Sequence, residues 1–176
     1  MKSLFVICGK ARAGKTTVAE HLTRMVQARG VEFTYGETSS VLVDAAAAEL
    51  GISSDVILAD KETHRPRLIE LGNAICEGDP AALARTLFSA GHSVVTGVRR
   101  LGELRKLRED FPGIVVLWVE RDVPLVRDNR EIEPVDCDVF IDNNGPLSAI
   151  DEAIIRGLTR LQLLPDTLSA LVGRDP

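Results

Sequence analysis

The segment Gly9-Lys10-Ala11-Arg12-Ala13-Gly14-Lys15-Thr16 constrains this chain more than any other feature. It follows directly on the apolar run SLFVIC at residues 3–8 and opens a stretch with helical patterning. Strand, glycine-flanked loop and helix in that order suit one chemical task. The glycines let the backbone wrap an anion with no Cβ in the way. Successive backbone N–H groups then converge, and the helix behind them adds the positive end of its dipole. Lys15 has the reach for β- and γ-phosphates, and the Thr16 hydroxyl suits Mg²⁺. With Thr17 next along the helix, the expected phosphate-binding set is Gly9, Ala11, Arg12, Ala13, Gly14, Lys15, Thr16 and Thr17.

The rest of the chain alternates short apolar runs with helical patterns. Strands are expected at 3–8, 31–35 (VEFTY), 93–98, 114–119 (IVVLWV) and 138–142 (DVFID). The first helix should run from about Gly14 to Arg29, ended by Gly30. Thr38-Ser39-Ser40 offers an N-cap for a second helix to about Leu50, with Gly51 past its end. Residues 61–77 read as an amphipathic helix, and Asp79-Pro80 as the start of another that ends near Gly91. Further helices are expected over 101–110 and from Pro146 to about Leu163. Strands separated by helices imply right-handed crossovers and a parallel sheet covered on both faces. The expected class is α/β, a three-layer P-loop NTPase fold with a five-stranded parallel sheet flanked by helices. Residues 1–164 would form one domain, with a helical region at about 38–91, a lid-like loop at about 121–135 and a peripheral tail over 165–176.

A net charge of −5 argues against general nucleic-acid binding, where a basic stripe is expected. Phe, Trp and Tyr together are 4% of residues, too few for base-stacking platforms. No stretch approaches the roughly 20 apolar residues of a membrane span. Cys8, Cys76 and Cys137 form no close pair, which suits a reducing cytoplasm and three buried apolar thiols. His21, His64 and His92 give no metal pattern, and Trp118 reads as core.

Against this acidic background the arginines stand out. Arg65 and Arg67 lie in KETHRPRLIELG, Arg99 and Arg100 just past VVTGV, and Arg121, Arg127 and Arg130 in ERDVPLVRDNREIEP. A guanidinium is permanently charged and binds phosphate bidentately. The third group follows the carboxyl end of an expected central strand, where ligands bind in open α/β sheets. A charged loop there has the character of a closing lid.

With these residues in view, the chain resembles the deoxynucleoside monophosphate kinases of bacteriophages over about residues 1–160. The segments that carry the likeness are LFVICGKARAGKTTVAEHL, FTYGETSSVLVDAAAAELGI, KETHRPRLIELGN, VVTGVRRLGEL and DVFIDNNGPLSAIDEAI. The last is shared with dephospho-coenzyme A kinases, whose similarity weakens in the middle of the chain. The resemblance implies ATP-dependent phosphoryl transfer to a (deoxy)nucleoside monophosphate with Mg²⁺, in the cytoplasm (of the host, for a phage protein), and leaves a homodimer open. Lys15 with Arg121, Arg127 and Arg130 would act on the transferring group. Glu37, Arg65, Arg67, Glu70 and Arg99 would serve the acceptor, and Asn143, Asn144 and Gly145 the adenine.

Two positions depart from that family. Gly97 stands where Asp usually precedes the Val-Arg pair, and Ser40 where lysine is frequent. The missing Asp would support Mg²⁺ and its waters. Glu37 and Glu103 are the candidates to replace it, with Asp44, inside a helix, the weaker one. Two rival readings remain open at this point: another small-molecule kinase, such as one for dephospho-coenzyme A, and a nucleotide-binding module without catalysis.

Overall fold

The computed structural model describes residues 3–124 and 130–160. Its centre is a parallel five-stranded sheet: β1 (Phe5–Gly9), β2 (Tyr35–Glu37), β3 (Val94–Thr96), β4 (Val115–Glu120) and β5 (Val139–Asp142), in the order β2-β3-β1-β4-β5. All pairings are parallel, with Cys8 beside Trp118 and Gly9 beside Val119. The helices are α1 (Lys15–Gln27), α2 (Thr38–Leu50), α3 (Ser54–Ala59), α4 (Lys61–Ile75), α5 (Ala82–Ser89), α6 (Leu101–Asp110) and α7 (Ile150–Thr159).

Strand alternation divides the core. Phe5, Ile7, Leu117, Val119 and Ile141 face α1 and α7, while Val6, Cys8, Val116 and Trp118 face α5 and α6. A sheet hydrophobic on both faces must be covered on both, which gives the three layers. A separate small cluster of Val43, Ala46, Ala47, Ile57 and Leu68 ties α2, α3 and α4 together beside the sheet. From β1 the chain turns toward β2, and from β4 it turns the opposite way toward β5. The carboxyl ends of β1 and β4 therefore flank a topological switch point, the crevice where ligands bind in such sheets. The loop Gly9–Thr16 lies there. This architecture is the P-loop NTPase fold expected from the sequence.

Several boundaries differ from those expectations. The second strand is not 31–35 but Tyr35–Glu37, because ladder pairing with Val94–Thr96 begins only at Tyr35. Phe33 serves the core instead, packed edge-on to Phe5 at 5.9 Å between ring centres. The third strand stops at Thr96, since Gly97 turns to φ +97°. Pro80 does not open a helix: Asp79 first makes a turn, accepting the Ala81 N–H on its carboxylate and the Ala82 N–H on its carbonyl, and α5 begins at Ala82. The last helix starts at Ile150, after a short 3₁₀ turn over Leu147–Ala149. The helix α3 carries no pattern long enough to announce it. Of the cysteines only Cys8 is buried, and Cys76 and Cys137 are half-exposed. Among the described residues no helix is long and apolar enough to cross a membrane.

Candidate phosphate-loop site

The loop between β1 and α1 has the alternating backbone of an anion cradle. Arg12 sits at φ +65°, the one non-glycine residue with positive φ among those described, and Gly14 at φ +90°. Alternation of right- and left-handed residues turns neighbouring N–H groups toward one point. Gly14 is also the N-cap of α1, so the first N–H groups of that helix open on the same place. A glycine is required at 14 twice over, because an added Cβ would run into the Asn143 side chain. The Lys15 ammonium folds back over the loop, donating to the carbonyls of Gly9 (2.9 Å) and Lys10 (2.7 Å).

Around the loop stand side chains from three other strands. The Thr16 hydroxyl donates to the Glu37 carboxylate at 2.6 Å, and Ser39 reaches the same carboxylate at 3.4 Å. That geometry fits Mg²⁺: with its proton on Glu37, Thr16 keeps its lone pairs for a metal. Among the described residues no three His, Cys, Asp or Glu groups gather to hold an ion. A magnesium here would rest on Thr16, Glu37 through water and the ligand's own oxygens, as this cation prefers.

Opposite Lys15, Arg99 and Arg130 line a narrow cavity with Gly9, Ala11, Gly97 and Val98. Several contacts hold Arg130 there. It donates to the Ile132 carbonyl (2.7 Å), pairs with Glu133 (3.4 Å) and lies 4.8 Å over the Trp118 ring. The following residues are docked rather than open: Glu131 and Ile132 donate backbone N–H groups to the Arg99 carbonyl, and Ile132 is fully buried. Arg121 is exposed just past β4, and Arg127 lies outside the described residues.

Other expected residues stand elsewhere. Arg65, Arg67 and Glu70 are on α4, and none of them lines the cavity beside Lys15. Arg65 pairs with Glu62 at 2.8 Å, and Arg67 with Glu49 and Glu70. Glu103 is buried and accepts the backbone N–H groups of Arg99 and Arg100, which caps α6. Burial pushes its carboxyl above the usual range, against those two N–H bonds. It is a structural carboxylate, which leaves Glu37 as the acidic group at Thr16.

Gly97 follows from the backbone. Its φ of +97° is hostile to any residue with a Cβ, and the space a Cβ needs is filled by the Thr38 hydroxyl. An Asp could not stand here without displacing the start of α2, the segment that presents Glu37.

Further contacts at the ends of β4 and β5 carry no sign in the sequence. Glu120, at the end of β4, pairs with Lys10 at 2.8 Å and accepts the Trp118 indole N–H at 2.8 Å. The Lys10 ammonium, then the indole, hold its carboxyl below the usual range. The Asn143 amide donates to the Ala13 carbonyl at 2.8 Å. Asn144 is engaged with Asp142 and with the Asp122 N–H. Beyond Asn143 a cavity of about 180 Å³ opens between this turn and α7, lined by Gly145, Pro146, Ala149, Ala153 and Arg156 among others.

No protein-family model and no curated protein matches the chain. Among solved structures it is similar to an unliganded sugar kinase from Janibacter sp. HTCC2649, with 18% identity over 95% of this chain and 98% of that one and a TM-score of 0.48. It is also similar to a gluconokinase from Sinorhizobium meliloti 1021, with 18% identity over 91% and 93% and a TM-score of 0.44. Likeness at this level concerns the general path of the chain, and no residue role or substrate is carried across from either.

Proposed function

We propose that this chain transfers the γ-phosphoryl group of ATP to a (deoxy)nucleoside monophosphate, giving ADP and the diphosphate. The observation that carries the reading is the cavity in which Lys15 and the phosphate loop face Arg99 and Arg130. A loop built for one polyphosphate, opposed by two arginines, suits two phosphate-bearing substrates meeting end to end. The whole-chain resemblance to phage deoxynucleoside monophosphate kinases supports the choice of acceptor.

In this reading Lys15 leaves the Gly9 and Lys10 carbonyls for the β- and γ-phosphates, and the N–H groups from Ala11 to Thr16 and Thr17 receive the same oxygens. Thr16, oriented by Glu37, would hold Mg²⁺, which would supply neutralising charge to the polyphosphate. Arg130 acts on the transferring group, joined by Arg121 and by Arg127, which lies outside the described residues, and Arg99 orients the acceptor phosphate. Arg65, Arg67 and Glu70 reach the acceptor only if their carboxylate pairs open. Gly145 lines the cavity beside α7 that would take the adenine, and Asn144 precedes it in the same turn. Phosphoryl transfer runs through a loose transition state, so positioning and charge suffice and no strong base is needed. Water must be excluded, or ATP is hydrolysed.

The test is ADP release from Mg-ATP against the four dNMPs, the four NMPs and dephospho-coenzyme A, with Lys15→Ala as control. Turnover of one or more monophosphates, lost in the control, supports the reading. Turnover of dephospho-coenzyme A alone replaces the acceptor, and no turnover with any of the nine refutes it.

A further inference from the structure

The resemblance places Asn143 at the adenine, and the residue does line the cavity beside α7, but its side-chain amide is committed to the phosphate loop. Asn143 is 6% exposed, and its amide donates to the Ala13 carbonyl across 130 residues of sequence. Its own N–H donates to the Glu120 carbonyl at 2.8 Å, which fixes it to the end of β4. The Glu120 side chain holds Lys10 in turn. The ends of β4 and β5 thus grip the phosphate loop at two points, Lys10 and Ala13.

The grip at Ala13 has a consequence for ligand binding. A trans peptide is planar, and its C=O and N–H point in opposite directions. Holding the Ala13 oxygen toward Asn143 therefore forces the Gly14 N–H away from Asn143. That N–H is one of the donors the loop offers a phosphate. The alternative, a flipped peptide, would present a carbonyl dipole to the anion. Gly14 alone does not prevent the flip, because glycine is the residue most tolerant of alternative φ and ψ. Asn143 fills the space where a Gly14 Cβ would stand, so the two residues fit as a pair.

We infer that Asn143 is a positioning residue for the polyphosphate of the donor: it locks the Ala13–Gly14 peptide in the anion-accepting orientation and does not read the base. This rests on the phosphate-loop reading of Gly9–Thr16. It predicts that Asn143 matters as much for a polyphosphate with no base as for ATP.

The experiment compares the affinities of Mg-ATP and Mg-tripolyphosphate, by calorimetry, for the parent chain and for Asn143→Asp. The variant keeps the size of the side chain and removes the donor. Both affinities should fall together, about tenfold, with Km for ATP rising by the same factor while thermal melting stays cooperative. A loss confined to ATP would overturn the inference and return Asn143 to base recognition. Unchanged affinity for both would overturn it as well, leaving the phosphate-loop reading intact. Failure of the parent chain to bind either polyphosphate would refute that reading and this inference with it. Asn143→Leu, which removes the donor at similar size without adding a charge, is measured beside it with the same two-ligand comparison and the same outcomes, and carries the test alone should Asn143→Asp not fold.

Discussion

Replacing Gly97 by Asp would install the residue usual in the kinases that the sequence resembles, and the structure predicts that it does harm. An L-residue forced into the left-handed region at φ +97° costs about 1–2 kcal/mol. The added Cβ also overlaps the Thr38 hydroxyl and sits 3.3 Å from Thr38 Cβ and 3.4 Å from Thr38 N. Thr38 is buried at the first turn of α2, so it cannot swing clear, and overpacking of this kind costs about 1–3 kcal/mol. The sum, about 2–5 kcal/mol, is a large part of the 5–15 kcal/mol by which a domain is typically stable. With a urea slope of about 2 kcal/mol per molar, the unfolding midpoint should fall by roughly 1–2.5 M. A double-mutant cycle with Thr38→Ala separates the two causes. Removing the Thr38 hydroxyl should recover the overlap but not the backbone cost, which gives an interaction energy of about 1–2 kcal/mol. A Gly97→Asp protein that unfolds at the parent's urea concentration would refute the argument, and so would strict additivity with Thr38→Ala.

The chain has one tryptophan, Trp118, whose ring lies under Arg130 and whose N–H is bonded to Glu120. Binding of Mg-ATP that draws Arg130 or Lys10 toward phosphate should change its emission, saturably, and Lys15→Ala should abolish the change. Glu37→Gln should weaken the hold on the Thr16 proton and raise the Mg²⁺ concentration needed for half-maximal ATP binding several-fold, with little effect on metal-free ADP binding; equal Mg²⁺ requirements would contradict the role given to Glu37. Glu120 has a folded-state pKa depressed below 4.5, chiefly by Lys10. Its contribution to stability is therefore present above pH 4.5 and lost as pH falls through the lowered value. Glu103 has the opposite sign, raised above 4.5 by burial, so its contribution to stability declines as pH rises from 4.5 through the raised value. Urea midpoints measured against pH should lose the acid-side fall in Glu120→Gln and the second decline in Glu103→Gln.

The loop and the sheet were legible because their signals are local. A glycine-flanked loop between an apolar run and a helical pattern admits few architectures, and IVVLWV has no polar alternation, as a strand buried on both faces requires. The corrections arise where one residue is fixed by another distant in sequence. Gly97 looked like a missing carboxylate because sequence shows the side chain that is absent and not the Thr38 hydroxyl that fills its place. Asn143 reads as an adenine contact by resemblance because nothing near it in the chain reveals the Ala13 carbonyl. Glu103, a candidate by sequence to support Mg²⁺, is drawn inward by two N–H groups at the start of α6. Arg65 and Arg67 read as anion binders, yet their helix also brings Glu62 and Glu70 within one turn, and α2 adds Glu49. Charge pattern alone does not say which partner an arginine takes.

The central claim is that the γ-phosphoryl group passes to a second nucleotide and not to water. The most direct measurement is ³¹P NMR of the full chain with Mg-ATP and each monophosphate that elicits ADP release. The account predicts that the monophosphate resonance is replaced by the coupled α and β pair of a diphosphate, in step with formation of ADP and with little inorganic phosphate. Accumulation of inorganic phosphate while the monophosphate stays unchanged would contradict it.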